Sequence, residues 1–441
     1  MTVRTELSDG ALLFVEENRS IPLVDIEIAL RSGAEIDPPM LAGRSRMLWR
    51  LVRMGTDDLA GADFEEELAL LGARLAFETT ASSVRVHGVV LSRNLDRFIE
   101  LLSAVLHGPA LREADLLQIK RETEAELVAL RDSDRSLVGR AFRRAFFRDH
   151  TYARSMSGTH ESLLRIGMDD LAEARQQHLR RSHLVFGFAG DIDPAGAERC
   201  AQRVLDGIAR AEPVEVERRD PAPLPGRRIV LVDKPERSQT QLLVGTSGSK
   251  VGDPLHDAVS VANVAFGGTF SSPLVQEIRE KRGWSYGVHS RLGADRSRDS
   301  WTMWAHPAAT DLADCLQVQL GLMERFVEDG IDAEEHAFAK EYLTNSHCFE
   351  LDTPGKRLEA AIDLELFGLP PDHIARYLER VARVDVSASH AAVRERLSTS
   401  DLTIALVATA DELRPALEQI DGIEAIDVVP HDAVCHDASS S

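Results

Sequence analysis

Short runs in which apolar and polar residues alternate recur along the chain. Two of them, Leu23-Val-Asp-Ile-Glu-Ile-Ala-Leu-Arg-Ser-Gly33 and Gln239-Thr-Gln-Leu-Leu-Val-Gly-Thr-Ser-Gly248, have the period of two that predicts β-strands. Between such runs lie stretches whose apolar residues return every three or four positions, as from Leu95 to Leu106 and from Ala114 to Leu130, and these predict amphipathic helices. The class is therefore α+β or α/β, with sheets covered by helices. The apolar runs are short and broken by Arg, Asp or Glu, well under the ~20 residues of a membrane-spanning helix, so no bilayer span is expected.

The pattern is written twice. Gly33 and Gly248, which close the two opening strands, lie 215 positions apart. A helix running into a strand through Ala172–Asp191 recurs through His390–Ala408, with Ser182 and Ser400 218 positions apart. A repeat of this length is far beyond the roughly 20–50 residues of a solenoid unit and predicts two homologous domains facing each other. Residues 212–226 carry four prolines among alternating charges and read as a linker. The expected division is a first domain over 1–211, a linker over 212–227, a second domain over 228–430 and a disordered tail over 431–441. His431, Cys435 and His436 in that tail offer at most adventitious metal binding.

Composition narrows the function classes. The chain has 441 residues, 51 Lys+Arg against 72 Asp+Glu and a net charge of −21, which disfavours nucleic acid and anionic membrane surfaces as partners. The N-terminal segment has no basic stretch followed by an apolar run, so the cytoplasm is the expected location. Cys200, Cys315, Cys348 and Cys435 are scattered without C-x-x-C spacing, against a disulfide framework or a cysteine zinc site.

Arg44–Met54 contains neither Gly nor Pro and predicts a helix closed by Met54-Gly55-Thr56, followed by a second helix, Asp63–Leu71, and Leu71-Gly-Ala-Arg-Leu75. This layout resembles the start of the pitrilysin/insulinase metallopeptidases. In that family an inverted zinc helix, H-x-x-E-H, places two His ligands and a general-base Glu on one face. The matching positions here are Arg46, Trp49 and Arg50, and none can do the job: a guanidinium has only donors, and an indole is no base. No H-x-x-E-H occurs anywhere in the chain. The family's third ligand would align near Glu126, expected here to be a solvated helix residue. Arg44, Arg46, Arg50 and Arg53 are expected on an exposed, salt-bridged helix face; the sharper alternative is a basic spot favouring acidic peptide stretches.

The second copy holds Phe266-Gly-Gly-Thr-Phe-Ser-Ser-Pro, then a helix, Gly283 and Trp284-Ser-Tyr-Gly-Val288, so that Arg279 and Tyr286 stand seven positions apart. This segment resembles the family's second-domain segment nearly throughout. The resemblance implies that Arg279 and Tyr286 contact a peptide substrate, Tyr286 donating to the scissile carbonyl oxygen and Arg279 anchoring a neighbouring carbonyl. Some bacterial members divide the labour between a zinc-bearing subunit and one carrying the Arg/Tyr pair, and this chain resembles the second kind.

The expectation is thus a clam-like, two-domain α+β protein with no cofactor of its own. It would pair with an H-x-x-E-H paralogue that holds zinc, and bind peptide that adds a strand to a sheet edge of that partner. The rival is a non-catalytic scaffold or peptide-binding homodimer of the same fold. A metal-independent hydrolase finds no defensible Ser/His/Asp or Cys/His arrangement. Tyr152 is expected to be structural, and Trp301, Met303 and Trp304 to be strand packing.

Overall fold

The computed structural model describes residues 2–436. It contains two six-stranded mixed sheets. The first is built from β1 (Val3–Glu6), β2 (Leu12–Glu17), β3 (Leu23–Leu30), β4 (Arg74–Thr79), β5 (Val84–Leu91) and β6 (Leu184–Gly190), in the order β1-β2-β6-β3-β5-β4. The second comprises β7 (Arg227–Asp233), β8 (Gln241–Ser247), β9 (Val288–Leu292), β10 (Ser300–Ala305), β11 (Leu402–Ala408) and β12 (Ile423–Pro430), in the order β12-β7-β11-β8-β10-β9.

The duplication read from the sequence is present in five strands of each sheet. β2, β6, β3, β5 and β4 have the same neighbours as β7, β11, β8, β10 and β9, and the single parallel pair β2/β6 answers to β7/β11. The copies differ at one edge. There β1 comes from the start of the chain and runs antiparallel, whereas β12 comes from its end and runs parallel to β7. β6 and β11 are buried at every position, as strands covered on both faces must be.

What covers those faces departs from the expected halves. Helix Asp134–Phe147 belongs to the first copy by sequence but packs on β11, β8 and β7, and helix Pro354–Phe367 belongs to the second but packs on β6, β2 and β3. One compact unit therefore consists of residues up to Glu126 with Ser155–Glu217 and Cys348–Ile374; the other holds Leu127–Arg154, Arg218–His347 and the residues from Ala375 onward. The contiguous division 1–211 and 228–430 is corrected accordingly. Each lent helix lies over a glycine. A Cβ on Gly187 would stand 2.6 Å from Ile362 Cδ1, and one on Gly245 would stand 2.4 Å from Phe142 Cζ. Ion pairs fasten them: Arg357 to Glu16 at 2.9 Å, Arg31 to Glu365 at 2.9 Å and Lys234 to Asp134 at 2.6 Å.

The linker carries no regular structure over residues 210–224 yet is tied down, since Asp220 accepts from Lys250 and from the Arg298 backbone N–H, both at 3.0 Å. The expected tail is also corrected. Residues 431–436 dock on the second unit, with Val434 and Cys435 buried and their carbonyl neighbourhood gripped by Arg140 and Arg144; residues 437–441 lie outside the described residues. On composition alone His256–Lys281 is long and apolar enough to cross a bilayer. It is interrupted at 269–272, and 61% of its apolar window is buried, with Val259, Leu274 and Ile278 in the core, so it is a core helix.

Candidate functional site

Helix Arg44–Val52 carries Arg46, Trp49 and Arg50, the positions that the resemblance matches to the zinc helix. Arg46 Nη2 lies 2.9 Å from one oxygen of Glu126, and Arg50 Nη1 lies 3.0 Å from the other. Arg50 also donates to Thr123 Oγ1 at 2.8 Å and to Glu122 at 2.9 Å. Two guanidiniums thus face the carboxylate that a dication would otherwise need, and they bring donors where a metal requires lone pairs. The residues do not fit zinc. Trp49 is 1% exposed, stacked on Phe77 at 5.6 Å and edge-on to His178 at 5.8 Å, so the third position has become core. Among the described residues no cluster of His, Cys, Asp and Glu is arranged to hold a metal ion.

One expectation changes here and one is sharpened. Glu126 is a solvent-exposed helix residue, as expected, and is in addition paired with two arginines. Arg44 is 1% exposed rather than on an open face, and donates to Gln177 at 2.8 Å and to the Ile36 carbonyl at 3.2 Å beside Asp37. Arg53 pairs with Glu65 and donates to the Leu75 carbonyl at 3.0 Å. A cavity of about 480 Å³ opens beside Arg46, Arg50, Phe77 and edge strand β4, but its arginines are matched by carboxylates, so the basic-spot alternative loses its charge.

Sequence reasoning found no Ser/His/Asp group, yet folding assembles one. Ser45 Oγ lies 2.6 Å from Asp37 and 2.8 Å from His178 Nε2, and Ser32 Oγ lies 2.9 Å from His178 Nδ1. All four side chains are buried, and the carboxylate sits on the serine instead of the imidazole, the reverse of a nucleophilic triad. Burial, with Arg44 and His183 nearby, pushes His178 down to about 3. This is a polar knot in the core.

The second-domain segment is differently exposed. Pro273 begins the helical turn, Gln276–Lys281 widens to π geometry, and Gly283, at φ +66°, reverses the chain in a conformation that glycine tolerates. Arg279 and Tyr286 are brought together: the guanidinium carbon lies 4.5 Å from the Tyr286 ring centroid and 5.5 Å from that of Phe270. Tyr286 is 79% exposed and Phe270 80%. Sequence reasoning missed Phe270; its one signal was an aromatic side chain inside a Gly/Ser loop that offers it no periodic partner. The loop is anchored from below, where buried Asn263 Oδ1 accepts from Ser290 Oγ and Trp301 Nε1, each at 2.7 Å. Trp301 and Met303 are core, and Tyr152 is buried with its hydroxyl accepting from the Ser297 N–H at 3.1 Å.

Residues 13–160 match the family model described as insulinase (peptidase family M16), and residues 165–343 match the one described as the peptidase M16 inactive domain. An uncharacterized zinc protease of Mycobacterium bovis is 26% identical over 90% of both chains. A non-peptidase homolog of Helicobacter pylori is 21% identical over 89% of this chain and 90% of its own length. Among solved structures, a peptidase M16 inactive domain from Pseudomonas fluorescens superposes with a TM-score of 0.86 at 20% identity, covering 92% of this chain and 97% of its own. A protease from Helicobacter pylori gives 0.84 at 14% identity, over 92% and 99%. With both halves matched by models of one family and both sheets built to its plan, the chain belongs to the M16 family, the pitrilysin/insulinase peptidases.

Proposed function

We propose that this chain is the metal-free subunit of a two-subunit peptidase, supplying Arg279 and Tyr286 to an H-x-x-E-H partner. The observation that carries the reading is an asymmetry: the zinc positions are taken by guanidinium–carboxylate pairs, whereas the exposed Tyr286 ring stacks on the half-buried Arg279 guanidinium and leaves its phenol to solvent. On its own the chain hydrolyses nothing. Zinc in the partner would activate water for attack on the peptide carbonyl. The residues of this chain would act on the substrate: Tyr286 donates its phenolic hydrogen to the carbonyl oxygen as negative charge develops, and Arg279 holds a neighbouring carbonyl in its fork of donors. The contact with the Tyr286 ring keeps the guanidinium beside the phenol, so the two donors address one stretch of peptide. The buried thiols of Cys200, Cys315 and Cys435 suit the reducing cytoplasm, the compartment we propose.

The test is to assay this chain alone, an H-x-x-E-H paralogue alone, and the mixture. Activity should appear or rise only in the mixture, and Tyr286→Phe should lower kcat by about 10²–10³, the usual cost of one lost oxyanion donor. A mixture indifferent to Tyr286→Phe overturns the proposal. The Helicobacter pylori relative, described as a non-peptidase homolog, favours a scaffold as the second reading. A homodimer that never captures a zinc-bearing partner on co-purification would support it.

A further inference from the structure

The phenol of Tyr286 projects into solvent, so core packing does not aim it; its backbone turn does. That turn is bracketed by one residue of the neighbouring strand end. The buried Ser285 hydroxyl accepts from the His306 backbone N–H at 2.9 Å and donates to the Gly287 carbonyl at 2.6 Å. The Gly287 N–H in turn donates to Nε2 of His306 at 3.1 Å, which requires that nitrogen to present its lone pair. Residues 285 and 287, on either side of Tyr286, are thus both tied to residue 306.

The imidazole is itself held. It leans on the Trp304 indole at 5.1 Å between ring centroids, and that indole donates to Gln241 Oε1 at 2.9 Å and is covered by Arg135 at 4.3 Å. The approach is close enough that any side chain at 287 would push the Trp304 and His306 rings aside. A Cβ there would lie 2.9 Å from Trp304 Cζ3 and 3.2 Å from His306 Nε2.

We propose that His306, assisted by Ser285, is a positioning residue that aims the Tyr286 phenol; the inference rests on the trans-acting reading given above. A phenol on an untethered turn would sample positions an ångström or more from the oxyanion, and displacements of that size cost rates strongly. Arg279, on the preceding helix, would stay where it is, so the loss should fall on turnover more than on binding.

The experiment compares His306→Leu, His306→Gln, Tyr286→Phe and the double variant His306→Leu/Tyr286→Phe in the two-subunit enzyme. It also follows hydrogen exchange across residues 283–292 in each full-length chain. His306→Leu should lower kcat about tenfold or more with KM within about twofold, whereas His306→Gln, whose amide oxygen reaches the place of Nε2, should stay within about threefold of wild type. The double variant should be no slower than Tyr286→Phe alone, and exchange at 285–287 should accelerate in the two variants that carry His306→Leu and in neither of the others. Additive losses, a Gln variant as impaired as the Leu variant, or unchanged protection in the Leu variant would overturn the inference. If Tyr286→Phe leaves kcat unchanged, the trans-acting reading falls and the exchange result alone judges whether His306 holds the turn. Should His306→Leu not fold, Ser285→Ala is expected to show the same pattern in milder form, and wild-type behaviour of that variant would count against the proposal.

Discussion

At the residue scale the first unit shows how few atoms separate a metal site from a salt bridge. Arg46 and Arg50 keep the one-turn spacing of two ligands and both reach Glu126, so the geometry of convergence survives while the donor chemistry is inverted. Arg46→His/Arg50→His should therefore bind one zinc per chain with Glu126 as third ligand, measurable by calorimetric titration and abolished by adding Glu126→Ala. Hydrolysis should not follow, because Trp49 still stands where a base is needed. His178 supports a second prediction. It is neutral in the fold down to about pH 3, while the unfolded chain takes up a proton near its ordinary 6.5, so its contribution is present above that pH and lost as pH falls toward 3. At about 1.4 kcal/mol per pH unit, moving from pH 7 to pH 4.5 should cost roughly 2–3 kcal/mol in urea denaturation. His178→Gln should lack that component. Arg46, Trp49 and Arg50 could be judged unfit for zinc from side-chain type alone. Ser32, Ser45 and Asp37 could not be tied to His178, because over 130 residues separate the strand-to-helix segment that supplies them from the helix that supplies the imidazole.

At the scale of elements, most of the pattern was legible. Leu23–Gly33 became β3, Leu95–Leu106 became helix Leu95–His107, and Gly283 ended its helix with a positive φ. These features depend on neighbours within a few positions, which is why periodicity and turn chemistry suffice for them. The widening to π geometry at Gln276–Lys281 left no mark in the pattern, since one altered hydrogen-bond register changes no residue type. Where two elements meet, small residues matter most. The stiff ring of Phe142 leaves no space above Gly245, so Gly245→Ala should destabilise the second unit by about 1–3 kcal/mol, with part regained by Phe142→Leu. Thermal unfolding of the single and double variants would show it; equal Tm values for wild type and Gly245→Ala would refute the packing account.

At the scale of the whole molecule the exchanged helices govern stability. Fragment 1–211 lacks the helix that covers Leu12, Phe14, Val185 and Ala189, the apolar face completed by Leu358, Ile362 and Leu366. Expressed alone, 1–211 and 228–441 should each be poorly soluble or bind hydrophobic dyes, and co-expression should rescue both; a well-folded isolated fragment by circular dichroism and amide exchange would contradict this. The sequence by itself determined the repeat, the two-sheet α+β class, the inability of Arg46, Trp49 and Arg50 to ligate a metal and the seven-residue spacing of Arg279 and Tyr286, because all of these reside in residue type and local spacing. Only the tertiary structure decided which sheet each amphipathic helix would cover, that Glu126 would be clamped by two arginines, and that His306 would hold the turn beside Tyr286. An apolar face specifies that it must be buried but not against what, and a donor specifies its chemistry but not its acceptor; those pairings are settled when distant segments compete for the same surface.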